Sequence, residues 1–212
     1  MYFKRKIDVF LDNWLKKENK SSALVVVYVN VGKLKQFKNL DVDTIISNIS
    51  LRFPNFDFES NNILIFFNGI QDCPKARLSF KNFKNDKRYN VIGSGSYLGI
   101  NGYVIGDTTP APTGYEDIIQ MKTMDFEEFL WALGYNEQQI NQLVTYFNAK
   151  KPILDNIHKL YKELYLKYSC IGGFPKVIKE YLKTNRIVDA FKELNNTVFD
   201  MKTDFGRRKD KN

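Results

Sequence analysis

Soft metal ligands are scarce in this chain: one histidine, His158, and two cysteines, Cys73 and Cys170, in 212 residues. The cysteines lie far apart and form no C-x-x-C pair, which excludes a zinc site and a disulfide framework and leaves buried reduced thiols as the reading. His158 sits inside a helical pattern with no partner at ligand spacing, so it belongs to a helix surface or boundary. Long apolar runs are missing too. Ala23 to Val29 and Ile63 to Phe67 are the longest, well short of the roughly 20 residues a membrane span requires. Asp8, Asp12 and Asn13 interrupt the stretch after Met1-Tyr2-Phe3-Lys4-Arg5-Lys6, so no secretory leader is legible. The expectation is a soluble, cytoplasmic protein with no membrane contact.

What is present suits a globular fold. Hydrophobic residues make up 43% and aromatics 15%, enough for one domain with a small appendage. The net charge of +8 raises the question of nucleic acid, but the lysines are spread over most of the helical segments, as solvated faces would be. The exception is the run Gly206-Arg207-Arg208-Lys209-Asp210-Lys211-Asn212, read as a mobile basic tail. Through Arg207, Arg208 and Lys209 it would attract phosphates nonspecifically and in a salt-sensitive way.

Helices and strands alternate first, and only helices follow. Phe3, Ile7, Phe10, Leu11, Trp14 and Leu15 place an amphipathic helix over residues 3 to 17. Ala23 to Val31 reads as a strand whose branched, continuous apolar character suits a parallel sheet covered on both faces. A helix capped by Asp41 carries Val42, Ile45, Ile46, Ile49 and Phe53 and closes at Pro54; a second strand covers Asn62 to Phe67. Residues 74 to 85 predict a short basic helix opened by Pro74, Tyr89 to Gly93 a third strand, and Gly99 to Gly114 a loop or irregular hairpin. From Asp125 the pattern is helical. Asp125 and Glu128 make a capping box for a helix stopped by Gly134, and further helices span Asn136 to Phe147, Pro152 to Cys170, Pro175 to Lys183 and Arg186 to about Asp200, with Gly172-Gly173 as the sharpest break.

Four segments together carry a resemblance. Met124-Asp125-Phe126-Glu127-Glu128-Phe129-Leu130-Trp131, Ile70-Gln71-Asp72-Cys73-Pro74, Gly95-Ser96-Tyr97-Leu98-Gly99 and Gly172-Gly173-Phe174-Pro175 resemble a large bacterial and archaeal family of AAA-type P-loop ATPases. In that family an ATPase domain precedes a small helical domain and a C-terminal domain of unknown function. The resemblance covers nearly the whole chain. It implies an α/β fold with a P-loop NTPase (AAA-type) parallel sheet core over residues 1 to 123, a helical region over 124 to 205 and the tail over 206 to 212.

The chemistry of that family does not carry over. Its phosphate loop reads G-x-x-x-x-G-K-[ST], in which backbone amides and the lysine hold phosphates and a hydroxyl helps hold magnesium. Here Gly32-Lys33 supplies the pair, but the first-glycine position is Val27, inside the strand, and the hydroxyl position is Leu34. Fusion of the family's first strand directly to its second, with loss of the loop between them, accounts for this. The positions for the magnesium aspartate and the water-activating glutamate read Asn68 and Gly69. Ser96, with Ser94 nearby, falls where the family senses the terminal phosphate, and its alternative role is to satisfy backbone groups in a turn. Asp72 reads as a cap ahead of Pro74, while Glu127 and Glu128 match family hallmarks and also suit a first helical turn.

Three functional readings follow. The first is a degenerate ATPase-derived protein that has lost catalysis, either a decaying gene product or a pseudoenzyme that binds a protein partner, with no catalytic residue, metal or cofactor. The second is a nucleotide-binding ATPase with an atypical site, in which Gly32, Lys33 and Ser96 touch the phosphates of ATP and magnesium is required. The third is a basic remnant that binds nucleic acid. Family members continue past Phe199 to Phe205, so uncovered apolar faces and self-association are expected of the last helices.

Overall fold

The computed structural model describes residues 2–17, 25–30, 41–53, 57–58, 63–70, 73–95 and 115–209. The chain divides into two units, Trp14–Ile119 and the pair of segments Met1–Asn13 and Gln120–Asn212. It is a mixed α/β protein, with a small parallel sheet in the first unit and helices making up the second.

In the first unit β1 (Val25–Asn30), α2 (Val42–Ser50), β2 (Ile63–Asn68), α3 (Pro74–Leu78), α4 (Phe80–Asp86) and β3 (Tyr89–Ser94) follow in order; α1 (Lys6–Lys17) precedes them. The strands form a three-stranded sheet in the order β1-β2-β3, with both pairs parallel. Asp41 caps α2 by accepting from Thr44 N at 2.9 Å. Ile63, Ile65 and Phe67 alternate along β2, and all three are fully buried in one core with Ile45 and Ile49 of α2, Ala76 of α3 and Phe83 of α4.

The helices that share this core lie on one face of the sheet, while Leu64 on the other face is also buried, at 6% exposed. Two right-handed crossovers that step across a sheet in the same direction leave their helices on the same side. The opposite face shows Tyr28, 55% exposed, with its ring stacked on Phe66 at 5.6 Å. The single helix expected over residues 74 to 85 is two, broken at Ser79. The Ser79 hydroxyl donates to Ala76 O at 2.7 Å, a local bond of the kind that bends helices.

The helical unit contains α5 (Phe126–Ala132), α6 (Glu137–Asn148), α7 (Asp155–Ile171), α8 (Pro175–Thr184) and α9 (Ile187–Lys209). The capping box at Asp125 and Glu128 is complete, and Asn136 with Gln139 forms another at the start of α6. Gly134 follows α5 at φ +95°, and Gly172 ends α7 at φ +72°, left-handed positions that favour glycine. Met124, Phe129, Ile171, Val177, Ile178 and Tyr181 are central to its core.

Two expectations fail here. Cys170 is exposed rather than buried, while Cys73 is half-buried. The last helix also runs about nine residues beyond Asp200, so the backbone of Gly206 to Lys209 is helical rather than a mobile tail. Among the described residues no helix is long and apolar enough to cross a membrane. Pro54 and the loop expected from Gly99 to Gly114 lie outside the described residues.

Candidate functional site

Parallel pairing brings the carboxyl ends of all three strands to one rim, the place where open α/β sheets bind their ligands. The register aligns Asn30, Asn68 and Ser94 there as a row of neutral polar side chains. Ser94 Oγ donates to Asn68 Oδ1 at 2.8 Å. Just beyond, Gly69 N donates to Ser94 O at 2.9 Å, which extends the β2–β3 pairing by one bond. Gly69 has φ +80°, so this turn suits glycine better than any residue with a side chain.

The rim rests on close packing. A Cβ at Gly93 would lie 2.5 Å from the Phe80 ring and 3.1 Å from Ile70 Cδ1, so the β3 backbone presses directly onto α4 and the turn after β2. The Phe80 ring in turn stacks on Phe67 at 6.2 Å. These contacts hold Asn68 and Ser94 on a firm base, half-buried.

Of the residues singled out from the sequence, Asn68, Gly69 and Ser94 are placed together at this rim. Gly32, Lys33, Asp72 and Ser96 lie outside the described residues, as do the side chains of Arg207, Arg208 and Lys209. The donors at the rim do not fit magnesium. An amide oxygen already engaged by a hydroxyl, a glycine and a serine offer no anionic oxygen, which a hard dication selects. Among the described residues no group of three or more His, Cys, Asp or Glu side chains could hold a metal ion.

The acids of the Met124 to Trp131 segment have a different job. Glu128 is 4% exposed and accepts at Oε1 from Arg5 Nε (3.0 Å) and Lys6 N (2.7 Å), and at Oε2 from Asp125 N (3.0 Å). Arg5 Nη2 donates to Lys122 O at 2.7 Å. The carboxylate therefore caps α1 and α5 together and neutralises a buried guanidinium. Lys6 Nζ meets Asp125 Oδ2 at 2.6 Å and Glu127 Oε2 at 2.7 Å. Partial burial disfavours the Lys6 ammonium, but these two acids more than offset it and raise its pKa. Burial likewise opposes the Asp125 carboxylate, yet Lys6 and the Glu128 N–H hold its pKa below the usual carboxylate range.

Two of the four segments that carry the family resemblance touch each other. Met124 N donates to Gly173 O at 2.8 Å, and a Cβ at Gly173 would lie 2.0 Å from Met124 O. Tyr168 OH also donates to Met124 O at 2.9 Å. Sequence reasoning missed the role of Arg5, because its partners stand more than a hundred residues away and no local pattern marks them. Compared with family models, curated proteins and solved structures, the chain finds no match.

Proposed function

We propose that this chain is an AAA-type ATPase-like protein that does not hydrolyse ATP, a pseudoenzyme whose P-loop-related α/β unit serves to bind a protein partner. The observation that carries the reading is the rim at the end of β2, where Asn68 and Gly69 stand at the positions the resemblance gives to two acids. Phosphoryl transfer in P-loop enzymes depends on positioning and on charge stabilisation by magnesium and its ligands. A neutral amide bonded to Ser94 supplies neither an anionic metal ligand nor a base. The glycine beside it, at φ +80°, disfavours a replacement that would restore the second acid. Parallel β-α-β connectivity is consistent with P-loop descent, whereas Gly32-Lys33, if the first strand is fused to the second, is a coincidence of sequence.

Equilibrium binding of a labelled ATP analogue with magnesium tests this. The reading expects no saturable binding in the micromolar range, and no difference between the native chain and Lys33→Ala. Micromolar affinity that falls at least tenfold in Lys33→Ala, a loss of about 1.4 kcal/mol, would instead establish the nucleotide-binding alternative.

A further inference from the structure

Positive charge gathers on α3 and α4. Residues 74–88 carry six cations against one acid, more cations than any stretch of equal length elsewhere in the chain. The two arginines among them are occupied. Arg77, 8% exposed, holds the Glu116 carboxylate in its fork, with Nε donating to Oε2 at 2.9 Å and Nη2 to Oε1. Arg88 Nη2 meets Asp43 Oδ1 at 2.6 Å and Asp86 Oδ2 at 2.7 Å. The lysines are open to solvent. Lys75, Lys81, Lys84 and Lys87 are exposed, and among the described residues Lys75, Lys81 and Lys87 meet no acid.

An aromatic ring lies among these ammonium groups. Tyr115, half-buried, has its ring centroid 5.3 Å from Lys81 Nζ and 5.9 Å from Lys84 Nζ. A spacing of three residues sets both lysines on one side of α4. The next residue, Glu116, is the one pinned by Arg77, so a nearly buried ion pair fixes where the Tyr115 ring lies. Asp117 follows, exposed, as the further acid of this segment.

We infer that this face of α3 and α4 binds the phosphodiester backbone of single-stranded nucleic acid, with Lys81 and Lys84 on the phosphates and Tyr115 as the surface on which a base stacks. Charge selects a polyanion, and the residue types select this one. Arginine forks recognise carboxylates in a fixed geometry, and both forks here are already filled by the chain's own acids. What remains is lysine, a mobile point charge that suits phosphates whatever the base sequence. A ring set between ammonium groups is the combination that single-strand sites use. Glu116 is a positioning residue, acting through Tyr115. None of this depends on whether ATP is bound.

Fluorescence anisotropy of labelled oligothymidine with the full chain should give saturable micromolar binding at 50 mM salt that weakens steeply by 200 mM. The double variant Lys81→Ala, Lys84→Ala should bind at least tenfold more weakly, with a salt slope smaller by about 1.4, and keep its helical circular dichroism. Tyr115→Ala should lose at least fivefold with the slope unchanged, and Tyr115→Phe should bind as the native chain does. Replacing Arg207, Arg208 and Lys209 together by alanine should weaken binding less than the double variant. No saturable binding, a double variant as tight as the native chain, or a larger loss from the three C-terminal replacements would each overturn the inference. So would displacement by polyglutamate as effective as by unlabelled oligothymidine, which would mark the face as a site for acidic protein.

Discussion

Ser94 Oγ donates to Asn68 Oδ1 at 2.8 Å across neighbouring parallel strands, and this bond closes the rim where a hydrolytic site would need a free carboxylate. The two rim positions should respond differently to restored acids. Asn68→Asp keeps an acceptor for Ser94, so its stability should lie within about 0.5 kcal/mol of the native chain. Gly69→Glu places a side chain at φ +80° and should cost about 1–2 kcal/mol. Chemical denaturation of the two single variants measures both. Equal stability of the two would refute the backbone argument for Gly69.

Glu128 accepts from three donors at two helix starts. Its removal leaves Arg5, 8% exposed, as a buried cation that has lost its partner. Glu128→Ala should therefore lose about 3–5 kcal/mol, the range for breaking a buried pair by deleting one member. Glu128→Gln, which retains an acceptor oxygen, should lose less. If Glu128→Ala unfolds at the native denaturant midpoint, the carboxylate does not hold the two helix starts.

The Lys6 and Asp125 pair makes a smaller, pH-dependent contribution. Because the folded pKa of Asp125 is depressed, its stabilisation is present above its unfolded value, about 3.9, and is lost as pH falls through the folded value. Lys6, whose folded pKa is raised, contributes fully below about 10.4 and loses that contribution as pH rises through its folded value. Both side chains are about half exposed, so screening limits the pair to no more than about 1 kcal/mol. A Lys6→Met variant should be less stable by a constant amount from about pH 5 to 9, and the difference should shrink below about pH 4. A difference that persists undiminished at pH 3 would count against the pairing.

Gly173 is required for a close approach. A methyl group there would lie 2.0 Å from the Met124 carbonyl oxygen, which is backbone and cannot swing aside. Gly173→Ala should cost about 1–3 kcal/mol through forced displacement of the Met124 segment. Gly172→Ala should cost about 1–2 kcal/mol for a different reason, its positive φ, with open space around the added methyl. Amide exchange separates them: protection of the Met124 N–H, bonded to Gly173 O, should fall in the first variant and hold in the second.

Local signals carried well from sequence to structure. Asp41, the Asp125 and Glu128 box, Gly134 and Gly172 each act within one helical turn, and each marks the terminus that its chemistry implies. The parallel sheet was legible from strands of branched residues separated by helical periods. What escaped depends on distance. Which face of the sheet the helices cover is a matter of crossover hand, and the pairing of Arg5 with Glu128 joins positions 123 residues apart. The extension of α9 escaped for another reason: its last turns pass through Asp204, Gly206 and a basic run, residues that read as a helix end. At the rim, the neutral residues Asn68 and Gly69 were visible in the sequence, whereas the Ser94 bond to Asn68 emerged only from the strand register.

The most direct test of the account is ATP turnover by the purified full chain in the presence of magnesium, beside the Asn68→Asp variant. Phosphate release should not exceed the protein-free background for either, because restoring one acid supplies no phosphate loop. Release that is proportional to protein concentration, and abolished in Lys33→Ala, would contradict the proposal that this chain does not hydrolyse ATP.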